Sequence, residues 1–210
     1  MLIVSIEESR SYKGRLEIVF DDGLRLMTSK DVIAENYLHV GKELAEREIE
    51  SLKDGFIRDE TRNLAVSLVE WRPMSRREVE KKLIEKGQPK ENAMEAACWL
   101  EEIGLIDDSE YACLIVRHYS GKGYGVRRIK AELYRRGVPQ ELWDEAIIDM
   151  PEQEEEVFGF IQSSLGGRLP DQREKKRVFD KLARRGFSYG EINSAFRRYE
   201  EYTAEEGNEY

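Results

Sequence analysis

Four positions recur together along the second two thirds of this chain. Val79, Leu83, Gly87 and Ala96 return as Ile129, Leu133, Gly137 and Ala146, and again as Val178, Leu182, Gly186 and Ala195, at intervals of about fifty residues. In each copy two apolar residues one helical turn apart precede a basic residue and a glycine: Lys86-Gly87, Arg136-Gly137, Arg185-Gly186. Glycine tolerates the left-handed conformation that ends a helix, and a cation complements the negative end of the helix dipole. A period of this size marks an array whose units bury their apolar faces against their neighbours.

The helix starts agree with that frame. Ser75-Arg76-Arg77-Glu78 and Ser188-Tyr189-Gly190-Glu191 have the spacing of capping boxes, and Pro89 and Pro139 stand where first-turn prolines are tolerated. Single apolar stripes predict a first helix (Leu64 and Leu68; Ala112, Ile115 and Val116; Val157, Phe160 and Ile161) and a third helix (Ala93, Ala96 and Leu100; Trp143, Ala146 and Ile147; Ile192, Ala195 and Phe196) in each copy. The fold class is therefore mainly α, with three tandem three-helix repeats in an elongated array over 61–108, 109–151 and 152–200.

The first sixty residues differ. Leu16, Ile18 and Phe20 alternate, Asp22-Gly23 supplies a hairpin turn, and Leu24 and Leu26 resume the alternation. With Leu2 to Ile6 this predicts a small antiparallel sheet, followed by a helix from about Asp31 to Val40 and another from about Glu43 to Leu52. Residues 201–210 read as an acidic tail.

Charged residues make up 37% of the chain and the mean hydropathy is -0.66. Apolar surface is too scarce for one thick core, yet too plentiful for disorder. The two cysteines, Cys98 and Cys113, sit in apolar helical patterns and read as reduced, packed thiols. The N-terminus lacks the form of a signal peptide and no apolar run reaches membrane-spanning length, so the expected compartment is the cytoplasm.

No catalytic, metal or cofactor site is expected. Asp107-Asp108 could pair as an acid/base or metal site, but Asp107 and Glu110 fit the start of a helix better. Gly121-Lys122-Gly123-Tyr124-Gly125 follows a helix and lacks the closing Lys-Ser or Lys-Thr of a phosphate loop, so it reads as a connector. His39 and His118 have no partner set for nucleophilic chemistry.

The net charge of -9 argues against a general DNA coat. Basic residues nevertheless recur in register on the second helix of each repeat: Arg76-Arg77, Arg127-Arg128 with Lys130, and Lys175-Lys176-Arg177. Arg135-Arg136 adds to the second copy. A charge run is ordinarily a solvated face, but three in register suggest a ladder that binds an acidic or nucleoprotein partner.

Several of these segments resemble the RecX family. Trp71-Arg72-Pro73-Met74-Ser75-Arg76-Arg77-Glu78-Val79 with Leu83 and Gly87 is similar to its first-repeat signature. So is Trp99-Leu100-Glu101-Glu102-Ile103-Gly104-Leu105-Ile106-Asp107-Asp108 with Tyr111-Ala112. Ile129-Lys130-Ala131-Glu132-Leu133 with Gly137-Val138 continues the likeness, which loosens in the third repeat. Tyr12-Lys13-Gly14-Arg15, Asp22-Gly23 and Leu38 to Leu44 resemble the hairpin extension of many members.

The resemblance implies a regulatory protein that binds the bacterial RecA recombinase filament on single-stranded DNA. It would modulate, in the inhibitory sense, ATP hydrolysis and strand exchange, without enzymatic activity or cofactor. A monomer with at most weak direct DNA contact is expected. The alternatives are a helical module that binds nucleic acid directly, and a generic protein-binding scaffold.

Overall fold

The computed structural model describes residues 1–9, 14–148, 150 and 153–206. Tyr12 and Lys13 of the hairpin motif, Glu152 of the acidic run and the tail beyond 206 lie outside the described residues. The chain is mainly helical with a small three-stranded sheet, and it divides into two compact units. One comprises Met1–Arg72 and Val79–Leu105, the other Pro73–Glu78 and Ile106–Tyr210.

In the first unit, strands β1 (Ile3–Glu8), β2 (Leu16–Phe20) and β3 (Arg25–Thr28) form an antiparallel sheet in the order β1-β2-β3. Gly23 takes a left-handed φ of 86°, and the Phe20 amide donates to the Leu24 carbonyl to close the turn. Ile18 opposes Leu26, and both are buried with Ile3, Phe20 and Val32. The short helix α1 (Lys30–Glu35) ends earlier than the apolar pattern predicted. Asn36 caps it, with its side-chain amide donating to the Val32 carbonyl, and Tyr37 then turns to a φ of 48°.

Helix α2 (Glu46–Trp71) runs as one continuous helix through the break expected between Leu52 and residue 61. Ile49, Leu52, Phe56 and Ala65 are all buried at helical spacing, so the stripe carries through Gly55. It packs against α4 (Lys90–Glu102), whose Ala93, Ala96, Ala97 and Leu100 are buried. Between them in sequence lies α3 (Arg76–Glu85), burying Val79 and Leu83.

The second unit holds the other two repeats. Helices α5 (Asp108–Ser120), α6 (Val126–Arg135) and α7 (Trp143–Ile148) share a core of Ala112, Ile115, Val116, Ile129, Leu133, Val138 and Ala146. Helices α8 (Glu154–Leu165), α9 (Gln172–Arg185) and α10 (Tyr189–Glu206) do likewise with Val157, Ile161, Val178, Leu182, Phe187, Ile192, Phe196 and Tyr199. Each such large apolar side chain contributes roughly 1.5–3 kcal/mol on burial.

Candidate interaction surface

The glycine that ends each middle helix does what the sequence predicts. Gly87, Gly137 and Gly186 have φ of 87°, 72° and 97°. One residue on, the amides of Gln88, Val138 and Phe187 donate to the carbonyls of Leu83, Leu133 and Leu182, the six-to-one bond of a Schellman motif.

In the second unit these helix ends also form joints. The Gly125 amide donates to the Arg185 carbonyl and the Arg127 amide to the Gly186 carbonyl, at 3.0 and 3.1 Å. The C-terminus of α9 therefore abuts the N-terminus of α6. Gly125 is the N-cap of α6 and has no side chain to satisfy the first amides, so carbonyls of the next repeat satisfy them instead. The same join occurs one repeat earlier. Ser75 Oγ donates to the Arg136 carbonyl at 2.5 Å, and the Arg77 side chain lies against Gly137. Asp108 is part of this joint, accepting from the Arg76 amide at 2.9 Å, and Tyr111 accepts from the Arg136 guanidinium at 2.7 Å.

The paired aspartates are thus structural, each in its own way. Asp107 Oδ1 accepts from the amides of Ser109 and Glu110, both at 2.9 Å, and so caps α5. Asp108 ties the first turn of α3 to the start of the second repeat. The sequence marked the cap but not the tie, because the two partners lie 32 residues apart.

The basic ladder divides into two classes. Arg128 and Arg135 both pair with the buried Glu132, at 3.3 and 2.6 Å. Burial opposes ionisation of Glu132, but the hydrogen bond and charge of Arg135, with Tyr119 and Arg128, more than offset it. They hold the carboxyl below the ordinary glutamate range. Lys130 pairs with Asp144 at 3.0 Å, and Lys175 with Glu200 at 2.6 Å while lying over the Phe196 ring. Arg136 is half-buried against Tyr111, and Arg76 is half-buried at the joint. These cations serve the fold.

Arg77, Arg127, Lys176 and Arg177 are exposed. Of these, Arg127, Lys176 and Arg177 have no carboxylate within ion-pair distance among the described residues. The third pair keeps its place directly before a buried aliphatic, but its helix starts elsewhere. Helix α9 begins a turn earlier than α3 or α6 relative to its buried residues, so Lys176 and Arg177 stand mid-helix, away from any joint. A capping box that the sequence reading passed over explains the extra turn. Asp171 accepts from the Glu174 amide at 2.7 Å, and Glu174 accepts from the Asp171 amide and from Arg168. The signal was present, as Asp-x-x-Glu after Pro170.

No helix among the described residues is long and apolar enough to cross a membrane, and no group of three metal-ligating side chains occurs among them.

The comparisons with known proteins agree with this architecture. The model of the second three-helix domain of RecX matches residues 107–147, which span α5 to α7. A regulatory protein RecX of Xanthomonas axonopodis pv. citri is 33% identical over 135 residues, covering 63% of this chain and 83% of that protein. Another, of Lactobacillus delbrueckii subsp. bulgaricus, is 26% identical over 193 residues, covering 90% of this chain and 71% of its own. A crystal structure of a regulatory protein RecX shares the fold with a TM-score of 0.71 at 23% identity, over 92% of this chain and 98% of that one. That of RecX from Lactobacillus salivarius does so with a TM-score of 0.62 at 21% identity, over 69% of this chain and 97% of its own.

Proposed function

This chain belongs to the RecX family, and from that premise we propose that it binds the bacterial RecA recombinase filament on single-stranded DNA and restrains its ATP hydrolysis and strand exchange. The observation that carries the reading is the 33% identity with a protein named as a regulator, over most of that protein's length. The relatives are regulatory proteins, so the reading assigns a binding role and no catalysis. Binding takes place in the cytoplasm, as a monomer.

The cations that can meet such a partner are those not engaged within the fold: Arg127, Lys176 and Arg177, with Arg77 beside them in character. A filament on DNA is strongly anionic, and complementary surface charge speeds association. Arg128, Lys130, Arg135, Arg136 and Lys175 support the surface indirectly, by holding the helices that carry it.

The test is the steady-state ATPase of the recombinase on single-stranded DNA, titrated with this protein, together with co-sedimentation of the filament. The expected result is a fall in ATPase at substoichiometric to stoichiometric protein and its recovery in the pellet. An unchanged ATPase with no co-sedimentation would overturn the reading and leave a scaffold for some other protein.

A further inference from the structure

The middle helices of the three repeats meet end to end, and the series of joints leaves two ends unmatched. The C-terminus of α9 closes on the N-terminus of α6, and that of α6 on the N-terminus of α3. The C-terminus of α3 and the N-terminus of α9 have no such partner among the described residues. Gly87 is exposed, whereas its counterparts Gly137 and Gly186 are half-buried and buried. In the joints the Arg136 carbonyl accepts from Ser75 Oγ, and the Arg185 and Gly186 carbonyls accept from the amides of Gly125 and Arg127. The equivalent carbonyls of Lys86 and Gly87 accept no hydrogen bond among the described residues.

The free N-terminus has the form of one already in use. Helix α3 is entered through Ser75-Arg76-Arg77-Glu78 and α9 through Asp171-Gln172-Arg173-Glu174. In both, the cap side chain accepts from the glutamate amide, at 3.1 and 2.7 Å, and an arginine follows the cap by two residues. Arg77 is the residue whose side chain lies on Gly137 in its joint. Arg173 is exposed, and its amide has no acceptor among the described residues. It holds the place of Arg127, whose amide donates to the Gly186 carbonyl. Helix α9 also begins a turn further from its first buried aliphatic than α3 or α6 does, which carries this end about 4.5 Å further along its axis.

Electrostatics favour the same match. A helix C-terminus is the negative end of its dipole and an N-terminus the positive end. Asp171, which unlike Ser75 cannot donate to a carbonyl, finds a cation in Lys86 instead. A helix start on an unrelated protein would share the dipole, but a second copy of this chain also repeats the cap and the arginine.

We infer that copies of this chain join head to tail, the first turn of α9 in one copy seating on the Lys86-Gly87 end of α3 in the next. The contact repeats the joint that links repeats within the chain. Its two surfaces differ, so it is heterologous and each added copy keeps an end for another. One such joint is small, in the class of weak, transient contacts. The free chain is therefore a monomer at micromolar concentration and associates at roughly 1 mM. Copies held on a common template meet at a higher effective concentration. The contact itself stands apart from the proposed function; only its consequence on a filament, the binding of successive copies end to end, rests on that reading.

The test is sedimentation equilibrium of the full chain, without recombinase, at concentrations up to about 1 mM. The weight-average mass of the parent should rise continuously with concentration. Gly87→Asn preserves the helix end, because asparagine tolerates the left-handed conformation. It also puts a side chain where, at Gly186, the neighbouring amide nitrogen would lie only 2.4 Å from a methyl group. Arg173→Glu suits its own helix N-terminus and repels the facing carbonyls. Each variant alone should associate at least tenfold more weakly than the parent. Their equimolar mixture should regain association and stop at a heterodimer, since one keeps a working α9 end and the other a working α3 end. Thermal melts confirm that each variant is folded.

A parent that stays monomeric at the highest concentration would overturn the inference and leave the Gly87 end to a helix of another protein. Variants that associate like the parent, or a mixture no more associated than its components, would overturn it as well. A recombinase ATPase indifferent to this protein, with the sedimentation results as expected, would overturn the filament reading and leave this one standing.

Discussion

The exposed end of α3 and the jointed end of α9 carry the same sequence signal, a basic residue and a glycine after two buried aliphatics, and they have different structural roles. At Gly87 a left-handed φ of 87° is the whole requirement: a methyl group there would meet nothing within 4 Å. At Gly186 the φ is 97°, and a methyl group would also lie 2.4 Å from the Arg128 amide nitrogen. Gly137 is intermediate, since its methyl would come within 3.0 Å of the Arg77 Cβ and 3.2 Å of its Cγ and Cδ, contacts looser than that at Gly186. One motif therefore covers a plain helix stop, a loose joint and a tight joint between repeats. A repeat array can reuse a local motif while neighbouring units add a second constraint to it.

Alanine substitutions turn this comparison into a ranked series. Gly186→Ala should have the largest effect, roughly 2–4 kcal/mol of destabilisation, because backbone strain and overpacking against an unyielding amide combine. Urea unfolding followed by circular dichroism measures it, and a loss below 1 kcal/mol would show that the joint opens at little cost. Gly137→Ala should cost about 1–2 kcal/mol, the strain plus a modest displacement of Arg77; the double variant with Arg77→Ala should recover part of the difference. Gly87→Ala should cost about 1 kcal/mol, from the left-handed conformation alone. If Gly87→Ala were as damaging as Gly186→Ala, the free end of α3 would have to be packed in solution, and the contrast drawn here would fail.

The two classes of basic residue repeat this lesson on the surface. Arg128 and Lys176 stand in the same run of the motif, one and two residues before a buried aliphatic, and sequence gives no means of ranking them. In the fold Arg128 lies at a joint, pairs with Glu132 and packs on Gly186, whereas Lys176 faces solvent mid-helix. Likewise the continuity of α2 was not legible. The helix expected from about Glu43 ended near Leu52 and the first repeat began at 61, but helix continuity follows the buried stripe from Ile49 to Ala65, which a neighbouring helix supplies the reason to keep.

What the sequence determined by itself was local: the hairpin at Asp22-Gly23, the Schellman ends at Gly87, Gly137 and Gly186, the cap at Asp107 and the fifty-residue repeat with its buried pairs. These depend on backbone propensities, side-chain reach and periodicity within a few residues, and such interactions are written where they act. Tertiary structure alone decided which repeats join end to end, that Asp108 ties α3 to α5, and which cations are spent on Asp144 and Glu200. Those outcomes depend on partners 14 or more residues distant, as with Lys130 and Asp144, Lys175 and Glu200 or Arg76 and Asp108. A charge in a sequence has a sign, but its availability to a partner is a property of the surroundings that folding brings to it.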